Sequence, residues 1–526
     1  MSMINVNGLT FGYDGSGENL FEDVSFRLDT DWRRGFFGGK RGGRGKVLNG
    51  RGKTTFLKLL LGEYEYTGTI SASVEFEYFP YTVPDEQADI LSLAYSIADG
   101  FEQWELEREL SLLGLPDDIL YRAFSTLSMG ERTKVLLALM FIKSECFMLI
   151  DEPTNHLDLD GRELVARYLS SKRGFILVSH DRSFLDACTD HTLAINRADI
   201  TVTAGSFSVW YQNKLLRDNY EAAEDEKLRR EIARLNESAR RNAAWSDAAE
   251  RGKIGFDPHK VEKSMNRRAY EGAKSKKLMR RAKAAEKRID AQIEEKKSLL
   301  KNVEETEELR LNPLPCQVSR LAELSHISVW RGSVDARQIL DDVSFRVEAG
   351  DRICLSGQNG CGKSTLIQLL LGGGICAEES QGEMPLSAAA RDSIYYTGSL
   401  YRASGLVISY LPQDVSRLSG SLDEFESRSG VDRVLFRAIL RKLDFPRSLF
   451  DADLSTYSAG QKKKAALPRS LAERAHLYVW DEPLNYIDIY SRMQIEELLS
   501  ETDATVVFVE HDRAFRDAVA TKVVEL

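Results

Sequence analysis

Ser356-Gly357-Gln358-Asn359-Gly360-Cys361-Gly362-Lys363-Ser364-Thr365 is the stretch whose reading decides the fold. Asp351-Arg352-Ile353-Cys354-Leu355 before it reads as a short buried strand, and Leu366 to Leu371 after it reads as the first turns of a helix. A glycine-rich turn between strand and helix lets backbone N–H groups converge on phosphate oxygens, with the helix dipole adding attraction. Gly357, Asn359, Gly360 and Gly362 are expected to form that cradle, with Thr365 at its end. Lys363 is expected to reach the β- and γ-phosphates and Ser364 to hold Mg²⁺. The stretch predicts an α/β nucleotide-binding domain. Cys361 reads as a small loop residue, with a redox switch as the alternative.

Working outward, three motifs occur twice. Leu127-Ser128-Met129-Gly130-Glu131-Arg132 recurs as Tyr457-Ser458-Ala459-Gly460-Gln461-Lys462. Ile150-Asp151-Glu152-Pro153-Thr154-Asn155-His156-Leu157-Asp158 recurs as Trp480-Asp481-Glu482-Pro483-Leu484-Asn485-Tyr486-Ile487-Asp488. Val178-Ser179-His180-Asp181 recurs as Val509-Glu510-His511-Asp512. A single order and a nearly constant offset mark a tandem duplication. The expected domains are 1–208 and 318–526, joined by an interdomain segment at 209–317. Continuous apolar runs such as Phe147 to Ile150 and Leu477 to Trp480 predict strands buried on both faces. Helical patterns between them predict a mainly parallel sheet wrapped by helices.

The joining segment differs in kind. It is rich in Ala, Glu, Lys, Arg and Leu, with Leu228, Ile232 and Leu235, then Ile289, Ile293 and Leu300, at helical spacing. Two antiparallel helices would bury these stripes against each other. Gly255 and Pro258 interrupt the pattern at a tip between them. From Arg251 to Arg288 basic residues outnumber acidic ones by about ten, among them Lys260, Arg267, Lys276 and Arg280. On a chain of net charge −10 this tip is an electrostatic footprint for nucleic acid. A solvated hairpin without a partner is the blander reading.

Bulk properties set the class. The 526 residues are 43% hydrophobic and 29% charged, with mean hydropathy −0.32. Those values are typical of a soluble globular protein. No apolar run is long enough for a membrane span, and the start carries no secretory pattern. The six cysteines are scattered without metal spacing and fit reduced thiols in a cytoplasmic protein.

The repeated motifs carry chemistry. Asp151 and Asp481 end apolar strands, where they are placed to hold Mg²⁺ through its water shell. Glu152 and Glu482 follow and suit a general base that polarises water. His180 and His511 end the next strand, within expected reach of a γ-phosphate. The first phosphate loop is irregular. Asn49-Gly50-Arg51-Gly52-Lys53-Thr54-Thr55 supplies its second half, with Gly50, Gly52, Lys53, Thr54 and Thr55 as nucleotide contacts and Thr54 also on the metal. Val47 stands where the first glycine belongs. If Gly38 is that glycine, an insertion separates it from the rest of the loop, and Gly43-Arg44-Gly45-Lys46 within it repeats as Gly50-Arg51-Gly52-Lys53. Weak nucleotide binding, or binding through a rearranged loop, is expected there.

These residues resemble the ABC ATPase superfamily: Ser128-Met129-Gly130-Glu131 and Ser458-Ala459-Gly460-Gln461 match its signature, and Asp-Glu-Pro with Asn-x-x-Asp matches its Walker B and D-loop. The resemblance implies two ATPs sandwiched between the domains. Ser458, Gly460 and Gln461 would complete the first site, and Ser128, Gly130 and Glu131 the second. Tyr13 and Trp330 look like the family's adenine-stacking aromatics, and Gln413 like the Q-loop glutamine that reaches the metal. Two cassettes with a charged helical linker resemble the ABC-F class, whose members act on ribosomes, the linker reaching towards P-site tRNA. Tyr81 in place of the first Q-loop glutamine, and Leu484 and Tyr486 in place of the usual Thr and His, look like the Lsa-type resistance branch. That branch dislodges lincosamides, pleuromutilins and streptogramin A from the ribosome. The resemblance implies an ATP hydrolase that binds ribosomes when closed around ATP, pairs its domains within a monomer and leaves on hydrolysis. The rival readings are a housekeeping translation factor of the same class, the ATPase subunit of a transporter, and a regulatory nucleotide-binding scaffold.

Overall fold

The computed structural model describes residues 3–13, 19–38, 51–98, 100–143, 146–155, 157–195, 200–254, 311–331, 337–373, 375–376, 394–443, 445 and 449–526. Val47, Gly50, His156, the run inserted after Gly38, and the basic tip from Gly255 onward with Ile289, Ile293 and Leu300 lie outside these residues.

Each repeat builds the same α/β core because its apolar runs are alike. In the first, a six-stranded sheet runs in the order Glu75–Phe79, Cys146–Asp151, Phe175–Val178, Arg33–Gly38, His191–Ile195, Ile200–Ala204. All pairings are parallel except the last. In the second, five parallel strands follow the same order: Ile408–Leu411, Leu477–Asp481, Val506–Val509, Arg352–Ser356, Lys522–Glu525. Phe147 to Ile150, Leu477 to Trp480, and the strands Phe175–Val178 and Val506–Val509 beside them are buried at every position. Helices on both faces of a parallel sheet require this. A smaller sheet flanks each core, antiparallel in the first repeat and antiparallel but for one short parallel edge strand, Ile375–Cys376, in the second, with Met3–Phe11 and Arg320–Arg331 among the inner strands.

Register places the chemistry. Asp151 pairs with Val178 and Asp481 with Val509, so both carboxylates stand at the C-terminal edge of their sheets. There the helices Arg51–Leu60 and Lys363–Leu370 begin. Gly362 caps the second of them at φ 104°, where a Cβ would come within 2.7 Å of Ile339 and 2.9 Å of Leu340. Only glycine meets both demands. Arg33 and Arg352 hold the same register, opposite Phe175 and Val506. Yet Lys53 lies farther along the chain from Arg33 than Lys363 does from Arg352, the mark of the insertion.

The chain divides into two compact units: both repeats form one, and most of the other begins at Tyr211. Near the end of the first repeat, Phe207 and Trp210 pack edge-on against Phe37 at 4.8 and 4.6 Å. From Tyr211 the helix Phe207–Ile254 is largely polar and carries i,i+4 pairs, Glu226–Arg230 at 2.5 Å and Glu237–Arg241 at 3.5 Å. Each such exposed pair contributes only about 0.3–0.5 kcal/mol. No described helix is long and apolar enough to cross a membrane.

Candidate functional site

The strand ends and the loop helices bring the expected residues of the first repeat together. The Thr54 hydroxyl donates to Asp151 Oδ2 at 2.7 Å, and Tyr78 donates to the same oxygen at 3.1 Å. Lys53 Nζ lies 2.9 Å from His180 Nε2. Lysine is only a donor, so the imidazole accepts at Nε2 and carries its proton on Nδ1. Burial, with Lys53 adding to it, holds His180 well below its ordinary pKa, and the ring is neutral. Glu152 Oε1 approaches that Nε2 at 3.3 Å but has no hydrogen-bond partner. Burial pushes the Glu152 carboxyl up to about 7 against the pull of Lys53. Gly52 lies on the same helix as Lys53. Tyr13 shares a hydrogen bond with Thr55 at 2.6 Å and packs edge-on to Phe11 and Tyr64.

The second repeat uses the same residues differently. Lys363 donates to the carbonyls of Gly357 at 2.7 Å and Gln358 at 2.8 Å, its own loop. Asp481 hydrogen-bonds Ser364 through one oxygen and leaves Oδ1 buried without a partner. Asn485 donates to Glu482 Oε2 at 2.6 Å. His511 Nε2 is 3.9 Å from Glu482 and is also a buried orphan. Burial, with Lys363 next, pushes the His511 ring down to about 3. Three buried polar atoms without partners, Glu152 Oε1, Asp481 Oδ1 and His511 Nε2, thus fall where phosphate and metal chemistry is expected.

Both signature motifs form helix N-termini. Ser128 and Glu131, and Ser458 and Gln461, make reciprocal capping boxes that start the helices Met129–Phe141 and Ala459–Ala472. Gly460 is confined by Tyr486, whose Cβ would lie 3.0 Å from an added Cβ. Met129 of the first signature and Asn155 line a cavity of about 870 Å³ whose opposite wall is the second phosphate loop, from Asn359 through Gly362 to Thr365. Gln413, Glu482 and His511 line it as well. At its far end the wall is Arg331, Gln338 and Ile339; Trp330, half-buried on the same strand, does not line it. Alternation along a strand sends adjacent side chains to opposite faces. Asp158, beyond Asn155, accepts from the Asn359 N–H at 3.3 Å.

Several participants escape a reading of single motifs. Tyr78 and its counterpart Tyr410 stand beside the strand-end aspartates, and burial pushes Tyr410 up to about 12. Lys463 is buried and donates to Pro412 O at 2.8 Å and Asp481 O at 3.0 Å. Burial pushes it down to about 8. Arg162 pairs with Asp181 at 2.9 Å and Arg492 with Asp512 at 2.8 Å. Asp181 and Asp512 also cap the helices Arg182–Cys188 and Arg513–Val519. The signal was present: the arginine stands at one spacing after Asp158 and at the same spacing after Asp488. Between domains, Arg182 pairs with Glu496, and Arg513 with Glu163 at 2.9 Å.

The chain is 27% identical over 494 residues to the ATP-binding protein Uup of Caulobacter vibrioides, covering 91% of this chain and 71% of that one. It is 26% identical over 472 residues to the ribosome protection protein VmlR of Bacillus subtilis, covering 89% and 78%. The crystal structure of an archaeal ribosome recycling factor in complex with a ribosomal stalk protein superposes at TM-score 0.59 with 16% identity, over 98% of this chain and 87% of that one, a likeness of fold. The family model described as ABC transporter matches residues 22–155 and 340–485, more than half of the sequence, once in each repeat. The chain belongs to that family, as a tandem ABC ATPase that binds and hydrolyses ATP.

Proposed function

We propose that this protein is a ribosome-associated ATPase of the ABC-F class. It binds the ribosome with its two cassettes closed around ATP and is released on hydrolysis. The observation that carries the reading is the composite cavity, in which one domain's signature helix faces the other's phosphate loop. A helix N-terminus offered across that cavity favours the anionic terminal phosphate only while the domains are together, so nucleotide and closure stabilise each other. Mg²⁺ fits the donors present: Ser364 and Asp481, with Oδ1 free, would hold it in the second site with Gln413 nearby, and Thr54 and Asp151 in the first. Bound there, the ion would neutralise phosphate charge. Glu152 and Glu482 are the general bases, and the neutral His180 and His511 orient the terminal phosphate. Lys53 and Lys363 leave their present acceptors for phosphate oxygens. The domains divide at 1–208, 209–317 and 318–526.

The partner is the ribosome, met through the basic run between Arg251 and Arg288, whose charge suits rRNA and P-site tRNA. Similarity to a ribosome protection protein, together with Tyr81, Leu484 and Tyr486, favours a role in resistance to lincosamides, pleuromutilins and streptogramin A, exercised in the cytoplasm by a monomer. The test is ribosome co-sedimentation of the Glu152→Gln/Glu482→Gln protein with and without ATP. Pelleting only with ATP is expected; a protein that binds ATP yet stays in the supernatant would sink the ribosomal role. Drug susceptibility of a sensitive host expressing the chain then separates resistance from a housekeeping role.

A further inference from the structure

Ahead of the first signature motif, the helices Ile90–Ile97 and Gln103–Leu112 and the short turn Asp117–Tyr121 form one small module, the turn packing on both helices. Inward it buries Ile90, Leu93, Leu106, Leu110 and Ile119. Outward, Tyr95, Trp104, Leu112 and Tyr121 are 55%, 55%, 50% and 70% exposed, an unusual gathering of large apolar side chains on so small a module. Trp104, Arg108 and Leu112 follow at intervals of four and are all exposed, so they line one stripe of their helix. Tyr95 stacks on Phe101 at 5.0 Å, three residues before Trp104, which links the exposed rings of the two helices. The stripe is held firmly. Glu105 accepts from the Glu102 N–H at 3.1 Å where the helix starts, and the buried Glu109 accepts from Tyr168 at 2.6 Å and Lys172 at 2.5 Å in the core.

Charge selects what this apolar face takes. From Asp85 to Tyr121 the sequence is acidic, with Arg108 its single basic residue. Among the described residues, the ion pairs of this segment fall on Glu86 and the buried Glu109, and Glu102, Glu105, Glu107, Asp117 and Asp118 form none. Arg108 itself stands over the Trp104 ring, 5.4 Å from its centre. The second repeat differs. Its corresponding helices, Leu422–Ser429 and Arg433–Lys442, pair acids with their own cations, Arg433 with Asp423 at 3.0 Å and Arg437 with Glu426 at 2.8 Å. Val434 is the one large apolar side chain exposed on those two helices.

We propose that the outer face of the first repeat's module docks a lysine- and arginine-rich protein surface of the ribosome. Aromatic rings beside unpaired carboxylates attract cationic side chains through ion pairs and cation–π contact, and they repel the phosphates of RNA. The apolar anchors supply affinity, and the acids choose the partner. The chain thus meets the ribosome with surfaces of opposite sign, RNA at the basic run from Arg251 to Arg288 and protein at this face. The inference rests on the ribosomal reading and names the class of component met.

The test uses the full Glu152→Gln/Glu482→Gln chain with ATP and purified ribosomes. With p-benzoylphenylalanine in place of Tyr121, photocrosslinking is expected to join the chain to a lysine- and arginine-rich protein. A crosslink to rRNA, or none from a chain that pellets, overturns the proposal. Reversing charge with Glu107→Lys/Asp117→Lys/Asp118→Lys is expected to weaken ribosome binding about tenfold at an unchanged unfolding temperature. Trp104→Ala, which alters no charge, is expected to weaken it as well. Unchanged binding in both variants, or tighter binding after the charge reversal, overturns the proposal, and the tighter binding would assign the face to RNA. If the parent binds ATP but does not pellet, the ribosomal reading fails and the docking face falls with it; if it pellets and these results go the other way, only the docking face falls.

Discussion

Glu152 and Glu482, equivalent positions of the two repeats, adopt the same left-handed backbone, φ 51° and 49°, each with its N–H on the carbonyl of the adjacent strand's last residue. That conformation costs any side chain with a Cβ about 1–2 kcal/mol. It persists because the flanking hydrogen bonds, at 2.9 and 3.0 Å, over-determine it. It turns the carboxylates into the site. Glu482→Gly and Glu482→Ala both remove the carboxylate, but only glycine relieves the backbone. The glycine variant is expected to be the more stable by about 1 kcal/mol in urea unfolding, with hydrolysis lost equally in both. Equal stabilities would show that the turn is unstrained.

Protonation of Glu152 links stability to pH. Its folded value of about 7 lies above the ordinary 4.5, burial being the main cause. Between those values the folded chain holds a proton that the unfolded chain has lost, so this group's contribution to stability falls as pH rises from 4.5 to 7. Above that range a constant cost on the order of 3 kcal/mol remains. Glu152→Gln mimics the protonated form. Its unfolding temperature should exceed that of the parent by several degrees at mildly alkaline pH, the gap closing as the pH is lowered towards the ordinary carboxylate range. A gap independent of pH would place the carboxyl's titration elsewhere.

Much of this was legible because repetition filters coincidence. Asp151 and Asp481, Glu152 and Glu482, and His180 and His511 each stand out as pairs, and buried strand runs announce the parallel sheet. The second phosphate loop was readable from spacing alone, since Gly362 meets a conformational and a steric demand at once. Tyr78 and Lys463 were not. Their roles come from tertiary neighbours, and lysines in a run such as Lys462-Lys463-Lys464 look like a solvated face until burial separates them. Trp330 was singled out from its distance to the loop alone; Arg331, its neighbour on the strand, lines the cavity.

Arg34 is a poorly compensated buried group of the first sheet. It is 0% exposed, and its three guanidinium nitrogens have no hydrogen-bond partner among the described residues. Burial pushes its pKa down to about 10. The rings of Trp32 and Phe147, 5.1 and 5.5 Å away, supply only cation–π attraction. The corresponding residue of the second sheet is Ile353, also buried. Arg34→Leu should therefore stabilise the protein by about 2 kcal/mol, seen as a higher urea midpoint with ATP hydrolysis unchanged. A loss of stability would mean that the ring contacts outweigh the missing hydrogen bonds.

Arg162 and Asp181 present the converse case, a buried pair whose members satisfy each other. Arg162 Nε also donates to Leu157 O at 3.2 Å, tying the segment before Asp158 to the strand end that carries His180. Removing the cation leaves Asp181 buried beside Asp512, whose negative charge already pushes the Asp181 carboxyl up after burial itself. Arg162→Leu should cost about 3–5 kcal/mol, mostly from that orphaned charge rather than from the lost bond. Adding Asp181→Asn removes the charge while keeping an oxygen for the Phe184 N–H, 3.0 Å away. The double variant is therefore expected to be more stable than Arg162→Leu alone, an outcome that additive losses cannot produce. If the second change only destabilises further, Asp181 acts chiefly as a helix cap, and the pair with Arg162 contributes little.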